Sequence, residues 1–376
     1  MNYFNNFNKK TQIILLSIMW VVVQVALTWK FGIVTNFEAS KYIDEANHLI
    51  QYGNLDTANH YLYLTEIVLI AIILKLRLSF TVIVFTQLLL NILATLMFYK
   101  LAEYFLRQSF LAFCATFFFI INVNYQVYNS FLFTESVFYS LTIIYSSYLL
   151  RLERITLKNI FFLLILLALL SITRPTGILF FGATIIYVFF RFMKNISFIN
   201  KAVIFIVSFS AFLIIINAML QAGGSLDFML PFRRENIICG VNTVYNANIN
   251  ALEKGNSLKG LLYFISNNYH EFAKMAALKT KAFFGMLRSY YSLPHNIYLS
   301  IFFYPFYVLA LMGIWKKIKA KDASMVYFVT IILLYWITTM LTCDDWHNRF
   351  ILTVTPFLFL LGFAAFINQK KIKGYK

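Results

Sequence analysis

Charged residues are scarce in this chain. They make up 12% of its 376 residues, against 61% hydrophobic residues and a mean hydropathy of +0.73, and only 15 residues are Asp or Glu. A composition this poor in charge excludes an ordinary water-soluble protein and is typical of a polytopic helical membrane protein. In such a chain, several carboxylates in one short stretch near a membrane face are candidates for chemistry.

Cysteine is also rare, and its positions show no pattern. Cys114, Cys239 and Cys343 lack the spacing of metal-ligand or redox motifs. Cys114 falls within a predicted membrane span, where packing is its expected role. The cysteines therefore predict neither a metal centre nor a dithiol centre.

The abundant feature is apolar sequence in long, continuous runs. The runs are about 20 residues long, which is the length a helix needs to cross a bilayer. A transmembrane barrel would instead show alternation over about 10 residues. We therefore predict an all-α polytopic membrane protein. Most of the 42 Phe and 24 Tyr are interpreted as lipid-facing or interfacial packing.

The chain carries a formal charge of +17, and its basic residues lie at the ends of the apolar runs. They do not gather in one patch, so no nucleic-acid partner is predicted. Their distribution follows the positive-inside rule. The first run, 12–34, is too long for a signal peptide and lacks a clear cleavage site, so it is predicted to be an uncleaved helix. Lys9 and Lys10 precede it and predict a cytoplasmic N-terminus.

The segment 61–77 decides the topology. Its apolar part is only about 14 residues long and contains Glu66, which favours an interfacial or re-entrant helix over a span. If 61–77 does not cross the membrane, every short basic loop and both termini are cytoplasmic. If 61–77 does cross, most of the basic clusters lie outside. About ten spans are then predicted, at 12–34, 79–104, 109–127, 134–150, 159–174, 177–191, 202–221, 298–315, 325–342 and 350–367.

Three regions follow from this topology. Residues 1–221 form an N-terminal transmembrane module, whose first outside loop, 35–78, carries the candidate catalytic acids. Residues 222–297 form a long, polar extracytoplasmic loop between spans seven and eight, with helices expected around 258–290. Residues 298–376 contain the last transmembrane helices.

Four clusters of polar residues face outside under this one topology. An ionised carboxylate at a membrane rim can accept a proton from a hydroxyl group. Arg174 and Arg349 can hold phosphate oxygens in bidentate fashion, and an arginine at membrane depth usually has an anionic partner. The clusters are Glu38–Glu45, Phe133–Ser136, Thr173–Gly177 and Asp344–Phe350.

Each of these residues also has a purely structural interpretation. Arg174 would reach towards the interface as a snorkelling side chain, and Glu135 would be an acid favoured by a helix N-terminus. His347 would be a satisfied rim histidine, and Asp344 and Asp345 would be solvated loop acids.

The clusters resemble motifs of the GT-C glycosyltransferases, in particular the branch of the protein O-mannosyltransferases and lipid A aminoarabinose transferases. The similarity follows chain order over nearly the whole sequence. One departure concerns the catalytic acid, which is usually Asp in that family. The matching position is Glu38 here, and Asp44 is the alternative acid. The matching residues are Glu38, Tyr42 and Ala46, then Thr134-Glu135, then Thr173 to Gly177, and finally His347 to Phe350 with Pro356.

This resemblance implies transfer of a sugar from a polyprenyl-phosphate donor at the extracytoplasmic face of a bacterial inner or plasma membrane, with inversion. Glu38 would be the base on an acceptor hydroxyl of a cell-surface glycan, lipid or protein. Arg174 and Arg349 would stabilise the leaving phosphate. No cofactor or obligatory metal is expected, although Asp344-Asp345 leaves a metal open. Further substrate contacts are assigned to Tyr42, Glu135, Asp345 and His347.

Two other function classes remain open. A transporter or flippase for lipid-linked glycans would need polar residues near the bilayer midplane, and the predicted spans have few. A polysaccharide polymerase would also use outside arginines and a large loop. A polymerase needs no monosaccharide-phosphate-lipid donor, so a donor assay separates it from the transferase.

Overall fold

The structure is a computed structural model that describes residues 8–193, 197–221, 231–232, 234–241 and 255–368. Much of the predicted outside loop, including Gly223, Gly224, Arg233 and Glu253-Lys254, lies outside the described residues. The helices predicted around 258–290 are present as two separate elements, at Leu258–Asn267 and Tyr269–Gly285.

In the described residues the regular elements are helices, as predicted, and each predicted span coincides with helical sequence. The first half of the chain contains α1 (Lys9–Phe31), α2 (Glu38–Tyr52), a 3₁₀ helix (Ala58–Tyr63), α3 (Leu64–Lys75), α4 (Thr81–Leu106), α5 (Ser109–Ile120), α6 (Val123–Gln126), a 3₁₀ turn (Val127–Ser130), α7 (Thr134–Leu150) and α8 (Leu157–Thr173). The second half contains a 3₁₀ turn (Pro175–Gly177), α9 (Ile178–Phe192), α10 (Phe198–Gln221), α11 (Leu258–Asn267), α12 (Tyr269–Gly285), α13 (Leu293–Lys319), α14 (Ala323–Leu341) and α15 (Arg349–Ala364).

Local capping explains several helix ends. Asn8 accepts a hydrogen bond from the Lys10 amide at the start of α1, and Ser257 accepts one from the Gly260 amide at the start of α11. At the end of α2, Gly53 takes the left-handed conformation at φ 75° that favours glycine. These residues define where the three helices begin or end.

Seven helical segments in the described part of the chain are long and apolar enough to cross a membrane, or eight if the bent pair Ser109–Ile120 and Val123–Ser130 counts as one span. The chain is therefore a multi-helix protein compatible with several membrane crossings. The seven include Ala58–Lys75, because the 3₁₀ helix lengthens the segment around Glu66 to 18 residues. The length of Ala58–Lys75 is therefore sufficient for a membrane crossing, although the sequence analysis predicts no crossing there.

The chain divides into two compact units. The first unit comprises 1–177, 306–325 and 356–376, and the second comprises 178–305 and 326–355.

Helix α7 is the centre of the first unit. Nearly all of its residues are buried, including the polar ones, and α4 packs along it. Several of its hydroxyl groups find partners within helices: Ser146 donates to the Thr142 carbonyl at 2.7 Å and Ser147 to the Met97 carbonyl at 2.9 Å. Buried polar groups need such partners in an apolar setting, so a helix this polar can form the core.

A short backbone pairing ties the first loop to the start of α7. Val34 and Phe131 form an isolated parallel bridge, in which the Val34 amide donates to the Ser130 carbonyl at 3.1 Å. Buried side-chain amides also link α1 to this segment, and Gln24 Nε2 donates to Gln126 Oε1 at 2.9 Å. The acid-bearing loop and the Thr134-Glu135 motif are thereby held in one local framework.

The second unit has a similar pairing with a covalent addition. Ile238 and Asp344 form an isolated parallel bridge, and a disulfide joins Cys239 to Cys343, 104 residues apart in the chain. An aromatic cluster around Phe232 and Phe264 packs nearby, with ring centroids 4.6 Å apart. The sequence analysis assigned no pairing to these cysteines, so the disulfide is a finding of the structure.

Candidate functional site: two clusters of charged side chains

Helix α2 carries the predicted acid of the first unit. It begins at Glu38, directly after Phe37, whose backbone has the left-handed φ of 56°. A non-glycine residue in this region is strained, and such residues concentrate at functional positions. Glu38 is half-buried, and Tyr42 follows four residues later on the same helix face.

The alternative acid Asp44 lies elsewhere on α2. The buried face of this helix consists of Ala39, Tyr42, Glu45 and Ala46, whereas Asp44 is exposed. The two acids that the sequence left as alternatives therefore have different surroundings. Glu38 shares a face with Tyr42, and Asp44 points away from that face.

A third acid, Glu45, occupies the buried position that the sequence analysis did not single out. Its carboxylate lies 2.6 Å from His60 Nδ1 and accepts a hydrogen bond of 2.7 Å from the Asp56 amide. Glu45 and His60 therefore join α2 to the 3₁₀ helix that follows it. Lys41 lies 4.5 Å from the ring centroid of Tyr63 beside this pair.

Glu135 and Arg174, predicted from separate motifs, meet in the first unit. Arg174 Nη1 forms an ion pair with the fully buried Glu135 and a hydrogen bond of 3.4 Å with Thr134 Oγ1. The Arg174 side chain is 11% exposed, and its guanidinium carbon lies 5.9 Å from the centroid of the Phe138 ring. An arginine with an anionic partner is what an apolar site requires.

The turn after α8 presents Arg174 in this position. Arg174 has extended backbone dihedrals, and the Pro175–Gly177 turn follows it. A Cβ atom at Gly177 would collide with the Leu170 carbonyl oxygen, so glycine is required for the turn to approach α8. In the described part of the chain, the polar contacts of the Arg174 side chain are made through Nη1.

In the second unit, the predicted residues Asp345 and Arg349 pair with each other. Arg349 Nε lies 2.8 Å from Asp345 Oδ1, and Arg349 Nη2 lies 2.8 Å from Oδ2. This bidentate geometry is the strongest form of an arginine–carboxylate pair. The same carboxylate accepts the His347 amide at 2.9 Å, so Asp345 also organises the start of α15.

Asp344 has a partner that the sequence analysis missed. Arg288 Nη2 lies 2.5 Å from Asp344 Oδ2 and 3.2 Å from the Asp345 carbonyl, and both side chains are fully buried. Burial raises the pKa of Asp344 to about 7, although the nearby Arg288 opposes this shift. Together Arg288, Asp344, Asp345 and Arg349 form a charge cluster, which is named the aspartate–arginine cluster below.

Aromatic side chains border the aspartate–arginine cluster. The hydroxyl groups of Tyr290 and Tyr291 donate to the Trp346 carbonyl at 2.6 and 3.2 Å. Burial raises the pKa of both tyrosines, so they act as neutral donors at physiological pH. The half-buried His347 ring lies 3.6 Å, centroid to centroid, from the Trp346 ring.

Lys279 is a further buried cation in this unit that the sequence analysis missed. It donates to the Thr342 carbonyl at the end of α14 and lies 3.9 Å from the Phe232 ring centroid. Burial lowers its pKa to about 7. Its contacts with the last carbonyls of a helix are those of a C-terminal cap, so a structural role accounts for it.

In the first unit the structure thus brings Glu135 and Arg174 together, while Glu38 and Tyr42 lie on α2; in the second unit it brings Asp345 and Arg349 together. The described residues contain no group of three or more His, Cys, Asp or Glu side chains arranged to hold a metal ion. Comparisons with protein-family models, with curated proteins and with solved structures gave no match to this chain.

Proposed function

We propose that this protein is a membrane glycosyltransferase of the GT-C type, which moves a sugar from a polyprenyl-phosphate donor to a cell-surface glycan, lipid or protein acceptor. The main support is Arg174, a largely buried arginine that Glu135 and Thr134 contact at Nη1. A guanidinium carries five N–H groups and binds phosphate oxygens through two parallel hydrogen bonds, so an arginine held in this way suits a phosphate. Ionisable groups in apolar surroundings also tend to be functional.

In the proposed reaction, Glu38 takes the proton from the acceptor hydroxyl. The hydroxyl oxygen attacks the anomeric carbon, and the bond from that carbon to the phosphate oxygen breaks. Polyprenyl phosphate leaves with the bonding electron pair, and Arg174 stabilises its growing negative charge. Tyr42 is assigned to contact the substrates, and Glu135 both orients Arg174 and borders the site.

Arg349, which the sequence predicts as a second phosphate ligand, lies in the second unit, and that role stays a prediction. Asp345 holds it through two hydrogen bonds, which gives the guanidinium a defined orientation before substrate binds. His347 and Asp345 lie in the same motif and are assigned to substrate contacts. The proposed chemistry needs no cofactor, and a metal requirement is left to measurement.

The proposed topology has ten crossings and both termini in the cytoplasm of a bacterium, with the site on the extracytoplasmic face. The Cys239–Cys343 disulfide supports that location for the second unit's cluster, because disulfides persist in oxidising compartments. A cysteine placed at Asn256 in a Cys114→Ser background should react with an impermeant reagent in intact cells. A cysteine at Lys319 should not react, and the reverse pattern would overturn both the topology and the assigned site.

One observation favours a transporter as a second candidate. Glu66 is fully buried within Ala58–Lys75, a segment apolar enough to cross a membrane, and Gln87 Nε2 lies 3.5 Å from its carboxylate. A buried acid in a membrane helix is a common element of proton-coupled transport. This candidate predicts that Glu66→Gln stops movement of a lipid-linked glycan across proteoliposomes.

The direct test incubates purified protein with a panel of polyprenyl-phosphate sugars and measures release of polyprenyl phosphate. At least one donor should give acceptor-dependent release that Arg174→Ala lowers strongly. Release from no donor, together with glycan movement that requires Glu66, would replace the transferase with the transporter.

A further inference from the structure

A groove between α1 and α4 is separate from both charge clusters. It encloses about 230 Å³ and is lined mainly by apolar side chains, among them Ile13, Leu16, Val21 and Leu96. Its residues all belong to the first unit. An apolar groove of this kind on membrane helices faces acyl chains rather than water, so its natural occupant is a lipid.

The two ends of the groove differ in polarity. At one end Lys9 and Lys100 are exposed, and Lys9 Nζ lies 2.8 Å from Glu103 Oε2. At the other end the Trp20 indole donates to Asn91 Oδ1 at 2.7 Å and closes the groove. Lys9 and Trp20 are separated by about 16 Å along the helix axis at 1.5 Å per residue, so the groove suits a chain with one charged end.

Charge complementarity identifies the headgroup. Two lysines against one glutamate leave a net positive mouth, and Lys10 adds a further exposed cation next to it. Lysines at this position lie on the side that the charge pattern assigns to the cytoplasm. Basic pockets between transmembrane helices on that side bind anionic lipid headgroups.

We propose that this groove binds an anionic phospholipid of the inner leaflet, with one acyl chain between α1 and α4 and its phosphate at Lys9 and Lys100. The groove is a lipid site additional to the proposed donor site. It requires neither glycosyl transfer nor Arg174, so the two proposals fail independently.

The test is native mass spectrometry of the full-length protein in detergent, with chain-matched phosphatidylglycerol or phosphatidylcholine added. Phosphatidylglycerol should bind about 10-fold more tightly, since each lysine near the headgroup adds to the attraction. Lys9→Gln with Lys100→Gln should reduce phosphatidylglycerol binding to the phosphatidylcholine level. Arg151→Gln with Arg154→Gln, which removes two exposed cations outside the groove, should leave it unchanged.

A second pair of variants tests the groove itself. Val21 and Val22 are adjacent and 52% and 57% exposed, but only Val21 lines the groove. Val21→Trp should abolish tight binding and Val22→Trp should retain it, and inorganic phosphate should not compete. Equal affinity for the two lipids, equal effects of the two tryptophans, or competition by free phosphate would each overturn the proposal.

Discussion

Both units pair a buried arginine with a carboxylate, but the two pairings differ. In the first unit, Arg174 is held by one carboxylate through one nitrogen and keeps some exposure. In the second, Asp344 and Asp345 match Arg288 and Arg349, and the Arg288–Asp344 pair is fully buried. A fully buried ion pair such as Arg288–Asp344 mainly organises the protein around it, whereas the more exposed Arg174 is suited to a ligand.

The loop in the second unit is also held more firmly than the loop in the first. An isolated bridge at Val34 and Phe131 holds the first loop by backbone hydrogen bonds. The corresponding bridge at Ile238 and Asp344 is reinforced by the Cys239–Cys343 disulfide. We therefore expect changes at Arg174 to affect turnover most and changes at Arg288 to affect stability most.

The largest expected effect is on stability in the second unit. Arg288→Met leaves Asp344 buried without its cation, which typically costs about 3–5 kcal/mol of unfolding free energy. Thermal unfolding in detergent, followed by fluorescence, measures the loss. Combining Arg288→Met with Asp344→Leu should recover much of it, because both charges are then removed.

The matched control in the first unit is Arg174→Met. The Arg174 side chain is 11% exposed, against 0% for Arg288, so water can enter the space that Arg174 vacates and the loss of stability should be smaller. An equal or larger loss for Arg174→Met than for Arg288→Met would end the distinction between the two clusters.

The next effect is on turnover and concerns the base. Glu38→Gln keeps the size of the side chain and removes the proton acceptor, so turnover should fall by about 100-fold or more with folding preserved. Asp44→Asn makes the same chemical change at an exposed position of the same helix and should have little effect. Normal turnover in Glu38→Gln and loss in Asp44→Asn would exchange the two roles.

A further effect is a pH dependence of stability in the second unit. The pKa of Asp344 is raised to about 7 in the folded protein from an ordinary value of 3.8, so the folded state binds its proton more tightly than the unfolded state. The resulting stabilisation is present at pH 4 and is lost as pH rises towards and through 7. Asp344→Asn should flatten this part of a plot of unfolding midpoint against pH, and an unchanged slope would contradict the assignment.

How far the sequence predicted these features can be seen in α2. The spacing of Ala39, Tyr42 and Ala46 already marks one helix face, and Glu45 lies on it while Asp44 does not. The helical periodicity of the sequence could therefore have distinguished the buried Glu45 from the exposed Asp44. The helices themselves were predicted well for the same reason, since continuous apolar runs of spanning length identify them.

Other contacts had no local signal. Arg288 belongs to no motif, and its partner Asp344 is 56 residues away. The disulfide joins cysteines 104 residues apart, and the spacing of two cysteines does not reveal a pairing. His60 and Glu45 meet only because a turn after α2 folds the 3₁₀ helix back. Such contacts depend on tertiary structure, which single-sequence patterns do not encode.

The central claim is that Arg174 holds the phosphate of a lipid-linked sugar donor. The most direct measurement is the dependence of rate on donor concentration, at saturating acceptor, for the unaltered protein and for Arg174→Ala, Arg174→Lys and Arg349→Ala. Truncating Arg174 should weaken donor use by about 2–5 kcal/mol, as for other buried charge contacts. Arg174→Lys should restore only part of the donor use because lysine lacks the planar fork.

Arg349→Ala should also impair donor use, and the apparent affinity for acceptor should change much less in every variant. Normal donor saturation and rate in both alanine variants would show that neither arginine binds the phosphate and would contradict the account.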